Sequence, residues 1–188
     1  MTNKLILASS SPRRQELLKQ VKIPFIQRLP NIDESLVVTN DPVEKVRQLA
    51  LRKGRAVSFE SKNEFILSAD TVVSHKQQIF EKPKNRKDAV QMISALSGDI
   101  HEVFSGVMIR SQTEEVIFTV CTKVEFWPLS KEEIEWYTAT EEPYDKAGAY
   151  GIQSIGAMFV KQIVGDYFNV VGLPLSRTVR ELNRFSIY

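Results

Sequence analysis

Cysteine is almost absent from this chain. One residue, Cys121, excludes an internal disulfide, and with only two histidines, His75 and His101, no zinc site of ordinary Cys/His ligand count can be built. A bound cation would need oxygen ligands, so Mg²⁺ or Mn²⁺ is the expectation. Excess charge is lacking too. The 25 Lys and Arg against 23 Asp and Glu leave +2, too even a balance for a chain that coats nucleic acid. An anionic ligand must then be held by a local cluster. No apolar run approaches the roughly 18 residues of a membrane-spanning helix, and Leu5–Ala8 is shorter than a signal-peptide core. A cytoplasmic protein with no membrane contact is expected. Also missing are the Gly-x-x-x-x-Gly-Lys-Ser/Thr, Gly-x-Gly-x-x-Gly, His-Glu-x-x-His, Gly-x-Ser-x-Gly and Cys-x-x-Cys motifs, which removes the common nucleotide-binding and hydrolase signatures.

What is present is an ordinary globular composition, 43% apolar and 26% charged, over 188 residues, a length suited to one domain spanning 1–188. No repeat or linker divides it. Lys4–Ser9 reads as a short buried strand, followed by Ser11-Pro12 as cap and first residue of a helix to about Gln20. Asp41-Pro42, with Glu44 at capping-box spacing, starts a second helix whose stripe of Val46, Ala50 and Val57 includes Lys53. Phe65–Val73 has strand composition, interrupted by Ser68, Asp70 and Thr71. Asn85 caps a third helix that Gly98 stops. His101–Arg110 and Glu115–Trp127 read as a hairpin, in which Cys121 is assigned to packing, and Ser130 with Glu133 opens a fourth helix. From Pro143 to Pro174 glycines punctuate a segment read as loop plus two short strands, around Ala157–Val160 and Phe168–Val171, before a closing helix. The fold class is mixed α/β or α+β, with a mixed, largely antiparallel sheet.

Several residues disturb these patterns. Ser9-Ser10-Ser11-Pro12-Arg13-Arg14 puts hydroxyls and two arginines at a helix start, where the arginines oppose the dipole; a bound polyphosphate resolves the conflict, and a capped helix with solvated arginines is the alternative. Asp70 in a core-like strand must be paired, protonated, metal-bound or at an exposed strand end. Lys53 reads either as a snorkelling stem or as a site cation, while Lys82 and Glu34 alone are loop residues. Asp145–Gln153 mixes a carboxylate, glycines and an amide, suited to close approach of a ligand and to reading a base edge; a flexible loop is the alternative. His75 and His101 read as structural or solvated.

Taken in order, Ser9–Arg14, Asp33-Glu34, Lys53, Ala69–Val73, Glu81-Lys82-Pro83, Leu96-Ser97-Gly98, Glu142–Gln153 and Gly172-Leu173-Pro174 resemble the Maf family of nucleoside triphosphate pyrophosphatases, once described as septum-formation inhibitors. The resemblance covers nearly the whole chain. It implies a Maf/ITPase-like fold, hydrolysis between the α and β phosphates with a divalent cation, Asp70 as proton acceptor, and Arg13, Thr71 and Gln153 as the positions that choose the base. These three match the branch acting on dTTP and UTP. Ser9, Ser11, Arg14, Lys53 and Lys82 would then hold phosphates, Glu34 and Asp70 the Mg²⁺ or Mn²⁺, and a homodimer is implied. Three positions depart from the family's pattern: Ser68 where Gly is common, Gly54 where Ala follows the lysine, and Ser154 where Gly often follows the glutamine. A division inhibitor acting by partner contacts without turnover is the competing reading. A nucleic-acid binder fits less well, because the cations mark one site and the aromatics do not alternate with them.

Overall fold

The computed structural model describes residues 3–185. Strand β1 (Lys4–Leu7) reads as a continuous apolar run because both its edges and both its faces are covered. It lies parallel to β2 (Phe25–Gln27) on one side and to β3 (Glu64–His75) on the other. The rest of the sheet is antiparallel. β5 (Ile100–Arg110) pairs with β3, β6 (Glu115–Phe126) with β5 and β7 (Val160–Val164) with β6, while β4 (Gln78–Phe80) folds back on the end of β3 through Lys76 and Gln77, both at positive φ as a two-residue hairpin demands. The order β2-β1-β3-β5-β6-β7, with β4 beside β3, is a seven-stranded mixed sheet of the expected class.

Strand alternation assigns the two faces. Odd-numbered Leu67, Ala69, Val73, Val103 and Val107 join the main core, together with residues of α1 (Pro12–Gln20), α3 (Arg86–Leu96), α4 (Lys131–Thr138) and α6 (Leu175–Arg184). The opposite face holds Val72 and Phe104 with Val46 of α2 (Pro42–Arg55). Ser68 lies on this side too, donating from Oγ to the Ala50 carbonyl at 2.7 Å. Asp70 has the same parity. Helix starts follow the capping chemistry. Asn85 Oδ1 accepts from the Asp88 N–H, and Ser130 with Glu133 closes both halves of its box. Asp41 Oδ1 accepts from Val43 and Glu44, but the Glu44 carboxylate takes Gln48 Nε2, so the reciprocal bond is not made. The Ser11 hydroxyl makes no cap bond at α1.

Three expectations are corrected. Phe168–Val171 is not a strand: Asp166 accepts from the Phe168 N–H and starts the short helix α5 (Tyr167–Val171). The run at Ala157 belongs to a 3-10 helix, Ile155–Phe159, and the strand starts at Val160. Cys121 is exposed, because the alternation that buries Phe118, Thr122 and Val124 turns it outward. His101 is structural: buried at 1% exposure, its Nε2 lies 2.8 Å from the Tyr150 hydroxyl between the Phe126 and Tyr150 rings, and desolvation pulls its pKa down to about 3.

Helix α2 crosses the sheet where β5 has no side chain. A Cβ on Gly106 would stand 2.5 Å from the Val46 carbonyl oxygen, a backbone atom that cannot swing aside. Gly106 is also the cross-strand partner of Asp70. Gly106→Ala must therefore lift the helix that carries Lys53. A loss of about 1–3 kcal/mol in denaturant unfolding is expected, accompanied by lower activity; an unchanged midpoint would show that the contact is soft.

Candidate active site

β1 ends at Leu7, whereas β3 runs on for eight more residues, to His75. On that edge β1 pairs β3 only through Leu67, β4 resumes pairing at Val73, and the segment between them is left open. A cleft of about 1090 Å³ occupies this gap. Because successive residues face opposite sides, Asp70 reaches it from the α2 face and Thr71 from the other. Asp70 is thus in mid-strand and paired with Lys53, and not at an exposed strand end, another of the placements the sequence left open; only its neighbour strand ends there. Ser9, Ser11, Arg13, Arg14, Glu34, Lys53, Asp70, Thr71, Lys82 and Gln153 all line this one cleft.

At its α2 side, Lys53 Nζ donates to Asp70 Oδ1 at 2.6 Å and lies 3.0 Å from Glu34 Oε1. The Lys53 and Asp70 side chains are both about nine-tenths buried, at 11% and 10% exposure, so this lysine does more than lay its stem over the core. Glu34 opens a 3-10 helix, Glu34–Leu36, whose first turn is capped by Asp33 Oδ1 accepting from the Ser35 N–H and hydroxyl. Burial raises the Asp70 pKa above the ordinary carboxylate range, against the charges of Lys53 and Arg14, with nearby Glu34 pushing the same way as burial. Such a carboxylate suits general-base work nearer neutral pH.

Across the gap, Arg14 is buried and fixed through all three of its nitrogens. Nε donates to the Gly172 carbonyl at 2.8 Å, Nη1 to Ser9 Oγ at 3.2 Å and Nη2 to Thr71 Oγ1 at 3.2 Å. Desolvation lowers its pKa and the Asp70 charge draws it back up. Ser9 Oγ also accepts from the Ser11 N–H, so both lone pairs are used and its own proton is left to donate. Together with the N-terminus of α1, that favours an anion. Thr71 Oγ1 lies 2.7 Å from Ser105 Oγ and 3.3 Å from the Gly172 carbonyl; Ser105 is a partner that the sequence reading did not single out, and Gly172 stood there only as part of a motif. Gly106 was missed as well, although a glycine inside a strand pattern is itself a sign of close backbone approach.

Arg13 does not stand free. Nη1 pairs with Asp145 Oδ2 at 2.7 Å and Nη2 donates to the Asp145 carbonyl at 3.2 Å, which ties α1 to the glycine-rich loop. Lys82 and Gln153 are exposed in the cleft, and among the described residues neither has a hydrogen-bond or ion-pair partner.

No group of three or more His, Cys, Asp or Glu side chains capable of holding a metal is present among the described residues. Asp70 Oδ2 and Glu34 Oε2 accept no hydrogen bond there, leaving two oxygen donors on one side of the cleft. That donor set fits Mg²⁺, which is commonly held by one or two carboxylates with substrate phosphates and water completing the shell.

A family profile described as Maf-like protein matches residues 4–185. This chain belongs to the Maf-like family. It is 51% identical over 181 residues to a dTTP/UTP pyrophosphatase of Symbiobacterium thermophilum, covering 96% of this chain and 93% of that one. It is 46% identical over 184 residues to a dTTP/UTP pyrophosphatase of Bacillus cereus, covering 98% and 96%. Among solved structures, a HAM1 protein from Coxiella burnetii superposes with a TM-score of 0.55 at 14% identity, over 97% of this chain and 100% of that one, a likeness of fold. Among the described residues no helix is long and apolar enough to cross a membrane.

Two of the departures from the Maf pattern occupy the same space. A Cβ on Gly54 would come within 2.6 Å of Ser68 Oγ and closer still to Met108. Ser68 from β3 and Met108 from β5 thus fill together what an alanine on α2 would fill from the helix. Gly54→Ala alone is expected to destabilise, because overpacking outweighs the gain of about 1 kcal/mol in helix propensity. The double change Gly54→Ala with Ser68→Gly should recover part of the loss in thermal unfolding, the Met108 methyl taking up the rest; simple additivity of the two effects would refute the shared-space account.

Proposed function

We propose that this chain hydrolyses dTTP and UTP to the monophosphate and pyrophosphate by water attack at the α phosphorus. The observation that carries the reading is the pairing of buried Asp70 with Lys53 at one side of the cleft, opposite the fixed Arg14 and the free Ser9 proton. A triphosphate tail carries close to four negative charges, so catalysis rests on neutralising and positioning it around an in-line displacement. Arg14, Ser9 and Ser11 would receive it at the start of α1, and Lys53 and Lys82 from the other walls. Asp70 takes the proton as the water oxygen bonds to phosphorus and the bridging P–O bond to the β phosphate breaks. Pyrophosphate leaves with its charge held by the lysines.

Glu34 and Asp70 would hold a divalent cation, which when bound polarises the α phosphate and lowers the pKa of the attacking water. Gln153, with two donors and an acceptor and no partner of its own among the described residues, is assigned to the pyrimidine edge, with Thr71. Arg13 would serve the same choice through Asp145. The names of the relatives at 51% and 46% identity support the same substrates. The cytoplasm is the compartment assigned. The test is incubation of the purified protein with dTTP, UTP and purine triphosphates in Mg²⁺, followed by detection of pyrophosphate. Release from dTTP and UTP well above the purine nucleotides is expected, and inorganic phosphate as the first product would overturn the site of cleavage.

A further inference from the structure

Glu142 lies outside the cleft, yet its carboxylate is saturated by the segment that follows Gln153. Oε2 accepts from the Ile155 N–H at 2.9 Å, and Oε1 from the Gly156 N–H at 2.9 Å and the Tyr137 hydroxyl at 3.2 Å. Partial burial pushes the Glu142 pKa up, but these donors, with the Ser154 side chain nearby, hold it below the ordinary carboxylate value. Ile155 and Gly156 are the first residues of the 3-10 helix, and their N–H groups are the ones a helix start leaves without partners. Ser154, at the cap position, does not satisfy them with its own side chain. A carboxylate thirteen residues upstream does so instead.

Immediately before this turn comes Gln153, exposed in the cleft with no bond of its own among the described residues to orient it. Its direction is set by the backbone on either side. Upstream, the loop is fastened by Arg13 on Asp145; downstream, by Glu142 on residues 154–156. We propose that Glu142 is a positioning residue for base selection, holding Gln153 at the pyrimidine edge while contributing nothing to the phosphate site. This rests on the pyrophosphatase reading above and names a selectivity element within it.

Glu142→Gln tests this with almost no change in volume. One of the two carboxylate oxygens becomes an NH₂ group that must face a backbone N–H, so the clip loses a bond and gains a donor–donor conflict. The expected result is a loss of about three- to tenfold in kcat/KM for dTTP and UTP, carried mainly by KM, from one unmet, part-buried hydrogen bond. Turnover of purine triphosphates and inhibition by inorganic pyrophosphate, which reads the phosphate site alone, should hold within about twofold. Gln153→Ala should change pyrimidine selectivity little when added to Glu142→Gln, since the two act through one contact. Glu142→Asp, which keeps the charge, should restore part of the selectivity and serves as the reading if the Gln variant does not fold. Equal losses on every triphosphate, or a shifted pyrophosphate inhibition constant, would assign Glu142 to general stability and overturn the proposal. A parent enzyme inert on all triphosphates would remove the pyrophosphatase reading itself; an active parent with selectivity unchanged in both variants removes only the role of Glu142.

Discussion

Asp70→Asn is expected to lower pyrophosphate release from dTTP by about 10²–10⁴-fold, the range for loss of a general base, while leaving the fold intact. Asn matches Asp in volume and can still face Lys53, so the change removes proton acceptance and one negative charge and little else. A second readout separates this from a packing defect. Burial raises the Asp70 pKa in the folded chain above its unfolded value. Its contribution to stability is therefore fully present below the unfolded value, about pH 4, and is lost as pH rises through the folded one. Asn does not titrate. In buffer free of divalent cations, the melting temperature of the variant relative to the parent should therefore increase from about pH 4 toward neutrality. A variant that loses activity but follows the parent's pH dependence of melting would place the important charge elsewhere.

Lys53→Met is expected to cost about 10²–10³-fold in kcat/KM, the scale for removing one preorganised donor at a developing phosphoryl charge. The methionine keeps the length and apolar stem that pack along α2. What disappears is the ammonium 2.6 Å from Asp70 and 3.0 Å from Glu34. The two carboxylates then lose their shared counter-charge, and the Asp70 pKa should rise further. Because the base must be deprotonated to act, the acidic limb of the pH–rate profile should move to higher pH. A profile superimposable on the parent's, with near-parental turnover, would reduce Lys53 to a side chain that merely covers core.

Much of this arrangement could be read from the chain. Helix starts at Asp41, Asn85 and Ser130 were visible because capping is local chemistry between residues two or three apart. The long strands were visible from composition, and the Asp70 anomaly held because a carboxylate amid buried apolar residues needs a partner wherever the strand goes. What could not be read depended on distant neighbours. That Asp70 reaches a cleft from mid-strand follows from β1 ending at Leu7, which no pattern within 65–73 encodes. Phe168–Val171 is too short for its periodicity to separate helix from strand, and the deciding contact is the Asp166 cap. The β2 and β4 strands have three residues each and hold their shape through the sheet beside them. Glu142 stood within a family motif, but its role is a pair of backbone contacts thirteen and fourteen residues away, which carry no signature of their own.

The shared volume of Gly54 and Ser68 constrains how such sequences can drift apart. An ancestor with the bulk on the helix and a descendant with the bulk on the strand are joined by two single-step routes, and the routes are unequal. Emptying the space first leaves a small void, which costs modestly and can persist in a population. Filling it twice pushes the Met108 methyl out of its place and strains the Ser68 bond to the Ala50 carbonyl, which ties α2 to the sheet just before Lys53. Lineages should therefore cross through the small-residue pair, Gly at both positions, and reconstructed intermediates carrying both larger side chains should be rare.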